Sequence, residues 1–292
     1  TDTGNTTVTG GELIMSGQTD SPIIDISSGA TVDFNVASGT RDNMADTKFT
    51  GTGILEKTGS GEMEWSTASA EFALGSGALI DIQQGVFRGG HSADEIWTDN
   101  LSDLNVASGA IFRAVEANVR VDVLTGSGTI ETGHAHASYD EFTIGVDNGT
   151  GDFSGIIEDH STAGNLTKIG TGTQTLSGAN TYTGTTTVNG GTLIAAHNSA
   201  LGAATANAVV NTGGTIDLDG GVTVTKTTGT LTLNSSGTSA STGALHAGGG
   251  TGTSSHWAGD IALSGFGKGD VGAVNNHRSL IGSFQTGDHT QG

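Results

Sequence analysis

Residues 166–193 read LTKIGTGTQTLSGANTYTGTTTVNGGTL. Side chains alternate at period two, with Leu166, Leu176, Val188 and Leu193 as apolar points, and glycines recur at Gly170, Gly172, Gly178, Gly184, Gly190 and Gly191. The pattern predicts short β-strands joined by tight corners, the glycines supplying the positive φ that such corners need. Strands this short cannot make a flat sheet, so the chain is expected to coil.

The phrase recurs on both sides of this stretch. An apolar residue, a glycine corner and a second strand with apolar residues two apart are found at Val8–Leu13, Ile26–Phe34, Val106–Phe112, Val188–Leu193 and Val210–Leu218. Corner glycines lie 18 residues apart at Gly11 and Gly29, 24 apart at Gly53 and Gly77, and 23 apart at Gly191 and Gly214. Such a period belongs to a solenoid, in which each unit buries its apolar face only against the unit before it. The expected fold is all-β: a right-handed parallel β-helix with irregular rungs of roughly 18–32 residues and a core of stacked aliphatic ladders.

Composition agrees. The 292 residues include 50 glycines, 45 threonines, one proline and no cysteine, with aromatics at 5%. Threonine and valine favour strands, and no segment carries a capped helical period. The absence of cysteine excludes a disulfide scaffold, and no apolar run is long enough to span a bilayer, so membrane insertion of this segment is not expected. The chain has neither an initiating Met nor a basic-then-apolar leader, as expected of a mature product or an excised piece.

Charge divides the chain. Residues 1–160 hold 25 acidic and six basic side chains, whereas residues 161–292 hold five and four. The expected organisation is one continuous solenoid, with an acidic, loop-bearing segment over 1–160 and a neutral Gly/Thr-rich segment over 161–292. An acidic surface disfavours nucleic acid and anionic lipid.

The opening stretch resembles the passenger-associated repeat of bacterial autotransporters, surface proteins exported by type V secretion. The resemblance rests on Leu166, Lys168, Gly170, Gly172, Leu176, Gly178, Asn180, Thr181, Tyr182, Gly184, Thr187, Gly191 and Leu193, with a partial copy at Leu55, Lys57, Gly59 and Gly61. It implies an extracellular or cell-surface location and an outer-membrane translocator barrel as export partner. It names no activity, since this architecture serves adhesins, toxins, proteases and stalks alike. No membrane barrel follows in this sequence, so the expectation is a passenger alone or a β-helical relative that reaches the surface by other means.

The leading expectation is a non-enzymatic structural or adhesive rod whose partner is a host or environmental surface, carbohydrate or protein. The alternatives are a self-assembling filament or surface-layer subunit joined end to end through terminal rungs, and a polysaccharide lyase or hydrolase. Specificity is expected in loops where the corner spacing lengthens, at Phe87, Arg88, His91 and Trp97 and at Tyr139 and Phe142. Asp147 and Asp152 flank a Gly-rich turn that offers oxygen ligands for calcium, and His134 with His136 offers imidazoles on one strand face. Neither set has a full metal-site spacing, so no cofactor is expected beyond calcium as a possibility. Asp140 with Glu141, Glu158 with Asp159 and His160, and Asp217 with Asp219 are the carboxylate pairs an enzyme would draw on.

Overall fold

Strands of mostly three to five residues gain a core only by stacking, and they stack here throughout. The structure is a computed structural model that describes residues 4–16, 21–43, 47–65, 70–90, 96–114, 117–134, 139–234, 244–247, 254–264 and 284–286. Among the described residues there is no helix, and every strand pairing is parallel. The chain is a β-solenoid.

Its sheets form three faces. A long sheet of eleven strands runs from Gly11–Met15 to Leu245–Ala247. A second face begins as an opening sheet of four strands, Thr6–Val8 to Glu71–Leu74, and resumes as a late sheet of eight, Val119–Val121 to Phe284–Thr286. Between them Ile96 makes a lone bridge to Glu71, and the buried Asn100 amide donates to the Arg120 carbonyl at 2.9 Å. The third face is a short sheet of six strands, Arg41–Asn43 to Ile156–Asp159. It ends where the charge of the sequence changes.

Rung length varies as the glycine spacing anticipates. Paired residues are 19 apart at Leu13 and Val32 and 29 apart at Leu218 and Ala247. One inward row of the long sheet runs Leu13, Val32, Leu55, Ile80, Leu104 and Leu124. That row is interrupted by Gly151, and Gln174 on the next strand fills the gap. Its buried amide donates to the Leu124 carbonyl at 2.9 Å and its oxygen accepts from the Leu124 amide at 3.2 Å, so a side chain replaces the missing ladder bonds.

The core departs from the expected aliphatic stack. Phe34, Phe49, Trp65, Phe72, Phe87, Trp97, Phe112 and Phe142 form one continuous aromatic spine through the acidic half, with neighbouring ring centroids 4.0–6.3 Å apart. Beyond it the core thins to residues such as Leu176, Val188, Leu193, Ala195, Ala208 and Ile216. Few aromatics suffice for a spine because every Phe and Trp of the acidic half is buried; at 5% the aromatics leave little signal in the composition.

The glycines of residues 166–193 also divide more finely than expected. Gly170 and Gly191 have positive φ, 67° and 64°. Gly172, Gly178, Gly184 and Gly190 do not; a Cβ there would meet a carbonyl oxygen of the preceding rung, at 1.7 Å in the case of Gly178. Close approach of stacked backbones, rather than corner geometry, selects them.

Candidate functional site

Parallel stacking brings outward residues of successive rungs within reach of one another, about 4.8 Å apart, so chemistry gathers in rows. On the short sheet Arg88, Arg113 and Glu131 stand in register. Arg88 pairs with Glu62 and, at 3.3 Å, with Glu64; Arg113 reaches Glu62 at 3.2 Å and Glu131 at 2.5 Å; His160 Nδ1 lies 2.8 Å from Glu131. Burial raises the Glu131 carboxyl, but Arg113 and then His160 outweigh it and hold the group below its ordinary value. These charges are mostly covered, so the ladder is worth more than scattered surface pairs.

On the long sheet Asp33, Glu56, Asp81, Asn105 and Thr125 form the corresponding outward row. Asp33 is buried and accepts from the Thr58 amide at 3.1 Å and hydroxyl at 2.8 Å. Asp81 accepts from Asn105 at 2.7 Å, and Asn105 accepts from Thr125 at 3.2 Å. Ligand oxygens of Glu12, Asp33 and Glu56 lie within 4.8 Å of one another. Burial first, then Asp33, Asp81 and Glu12, raise the Glu56 carboxyl. No local motif announces these rows, although Asp33, Glu56, Asp81 and Asn105 recur at intervals of 23–25 residues that a rung-by-rung alignment displays.

The residues expected in loops are placed differently. Phe87 and Phe142 lie on strands Val86–Arg88 and Glu141–Ile144, fully buried in the spine. Trp97 is 1% exposed, stacks on Phe72 at 4.0 Å and donates its indole N–H to the Gly89 carbonyl at 2.8 Å. The wide corner spacing suggested protruding aromatics, but apolar area drives the rings inward. Arg88 belongs to the ion-pair ladder, and Tyr139 is half-buried. His91 and His136 lie outside the described residues.

The metal candidates have the following neighbours. The amides of Asp147 and Gly149 donate to Asp122 at 2.7 and 3.0 Å, so the turn wraps the Asp122 carboxylate with its N–H groups. Asp152 lies within reach of Ser177, at 3.3 Å. His134 stacks on His160 with centroids 6.2 Å apart. Of the carboxylate pairs, Asp159 accepts from Gly164 and Thr183, Asp217 meets His246 at 2.8 Å, and Glu141, raised by burial, accepts from Thr167.

Residues 177–185 close the short sheet. The Asn180 oxygen accepts from the Ile157 amide at 2.8 Å while its own amide donates to the Ala200 carbonyl at 2.7 Å, and Thr181 N–H donates to the Ile157 carbonyl at 2.9 Å. Tyr182 is buried with its hydroxyl 2.6 Å from Thr186, and burial raises its ionisation well above the ordinary value. This segment thus ends one face of the solenoid by pairing the Ile157 amide and carbonyl of its last strand.

Among the described residues three lysines lie in the core: Lys57, Lys168 and Lys226. Lys226 donates to the carbonyls of Leu201 and Ala203 at 2.7 and 2.8 Å. Burial lowers Lys168 and Lys226 from 10.5 to about 8, Asp122 opposing the shift at Lys168. Between about 8 and 10.5 the unfolded chain holds protons the folded chain has released, so stability rises with pH in that window and is flat below it. Carbonyl hydrogen bonds favour the charged form and reduce the effect, leaving a gain on the order of 2 kcal/mol from both lysines. Urea midpoints at pH 7.5 and 9.5 measure it; the rise is expected in the parent and lost in the K168M/K226M double variant.

Residues 166–195 match the family model described as passenger-associated-transport-repeat. No curated protein and no solved structure matches the chain. The chain carries a repeat of autotransporter passenger domains, mounted on an all-β solenoid.

Proposed function

We propose that this passenger-type solenoid is a secreted or surface-displayed rod with a structural or adhesive, non-enzymatic role, exported through an outer-membrane translocator barrel. The observation that carries this reading is the match at residues 166–195, whose strands alternate between the eleven-stranded long sheet and the eight-stranded late sheet of the solenoid. The rows that cover the rod support it. Arg88, Arg113, Glu62 and Glu131 bond one another across rungs, as do Asp33, Asp81, Asn105 and Thr125 with their neighbours, which suits holding an elongated surface better than turning over a substrate. Adhesive contacts would fall on the outward rows of the acidic half, with Tyr139 at their margin.

Intact cells producing the full-length gene product test the location: the chain should be stained by antibody and removed by externally added protease, and full protection would overturn the reading. Incubation of the purified chain with pectic and uronic polysaccharides, with and without Ca²⁺, tests the absence of catalysis. Released unsaturated or reducing ends would replace the rod by an enzyme.

A further inference from the structure

The two copies of the lysine phrase occupy different corners of the solenoid. Lys57 is the penultimate residue of strand Ile54–Thr58 of the long sheet, before the corner leading to the short sheet; Lys168 ends strand Asn165–Lys168 of the late sheet, at the corner leading to the long sheet. The ammonium groups nevertheless make the same contacts. Lys57 Nζ donates to Thr58 O, Gly59 O and Gln84 O at 2.7, 2.8 and 3.1 Å. Lys168 Nζ donates to Ile169 O, Gly170 O and Gly190 O at 2.5, 3.5 and 3.4 Å. In each case two carbonyls belong to the lysine's own corner, where the glycine two residues on has φ of 70° or 67°, and the third belongs to the next rung.

Both lysines interrupt apolar rows. Lys57 stands between Phe34 and Ile82, and Lys168 between Ile144 and Val188. An aliphatic side chain would continue either row, and burying an ammonium there costs more than burying a methyl group. An ammonium has three donors and no acceptor, and three carbonyls satisfy it. A slip of the strand by two residues keeps the inward and outward alternation of a Thr/Gly-rich strand intact but carries the ammonium about 6.8 Å from its carbonyl on the next rung, Gln84 O for Lys57 and Gly190 O for Lys168, while its own corner moves with it.

We propose that Lys57 and Lys168 are register-setting residues: each pins its own corner to the next rung and excludes the slipped pairings that alternation alone permits. The phrase Leu-x-Lys-x-Gly-x-Gly is on this view a portable corner that can be set into either of two edges of the solenoid. The inference concerns how the rod is specified and does not depend on what the rod does.

Native-state hydrogen exchange tests it in the parent chain. The Asn189 amide bonds to Lys168 O at 2.8 Å, and the Asn211 amide bonds at 2.9 Å to the carbonyl of Val188, which holds the lysine's place one rung on. Asn189 should exchange about tenfold more slowly than Asn211; equal rates would overturn the proposal. In K168M the difference should vanish while the urea midpoint holds or rises, because methionine suits an apolar row. K57M should do the same at Gln83, whose amide bonds to Lys57 O at 3.0 Å. A K168M chain that fails to fold, or whose midpoint falls as far as that of L166A, would make the lysine a stabilising group instead and overturn the proposal. So would unchanged exchange at Asn189.

Discussion

Replacing Phe72 by alanine is expected to cost about 3–5 kcal/mol, the range for emptying a large aromatic site that cannot collapse. Phe72 is the hub of the spine, stacked on Trp97 at 4.0 Å and on Phe49 at 5.3 Å, with Trp65 edge-on at 5.3 Å and Phe87 tilted at 6.0 Å. Parallel strands at fixed spacing hold the walls of the cavity apart, so relaxation is limited. Chemical denaturation of F72A beside I14A provides the measurement. Ile14 is 59% exposed, and its truncation should stay within about 0.5 kcal/mol of the parent. A loss under about 1 kcal/mol in F72A would mean that the spine is dispensable packing.

The second large effect is expected from the smallest side chain that can be added. Gly178→Ala places a methyl group 1.7 Å from the Gly155 carbonyl oxygen, and the obstacle is backbone that no rotamer change can remove. The rungs must part locally, at a cost of about 3 kcal/mol. Gly220→Ala is the informative comparison. Gly220 has φ of 72°, but a methyl group there would meet nothing within 4 Å, so its penalty is conformational alone, about 1 kcal/mol. Urea midpoints of the two variants should therefore separate, and equal losses would show that stacked backbones yield more easily than the distance implies.

Much of the architecture can be read from residues alone. Val188–Leu193 and Val210–Leu218 display a strand, a glycine corner and a strand, and their registers do align, Gly191 with Gly214 and Leu193 with Ile216. Parity is harder. In Val86–Arg88 the aromatic residue sits between an aliphatic and a charged one, and period two does not say which of the two faces is the core until the neighbouring rungs are known. Phe87 thereby reads as a loop contact, and its burial follows only from stacking on Met63 and Phe112. The ladders escape for a related reason. Glu62 and Arg113 are 51 residues apart, and a pair at that separation is visible only once the irregular rung lengths between them have been fixed. The inward lysines look in sequence like any strand-end cation, since nothing local reveals that Lys168 continues the row of Ile144.

The uneven core has a spectroscopic consequence. Trp65 and Trp97 lie in the aromatic spine, whereas Trp257 lies beyond it, paired with Val224 of the late sheet, and all three are almost fully buried. Indole emission from the folded rod is thus a sum of two separate reporters, one for each end of the chain. In a quasi-one-dimensional fold, where distant rungs need not melt together, a W257F chain would glow for the acidic half alone and a W65F/W97F chain for the neutral half, turning one fluorescence trace into a record of which end comes apart first.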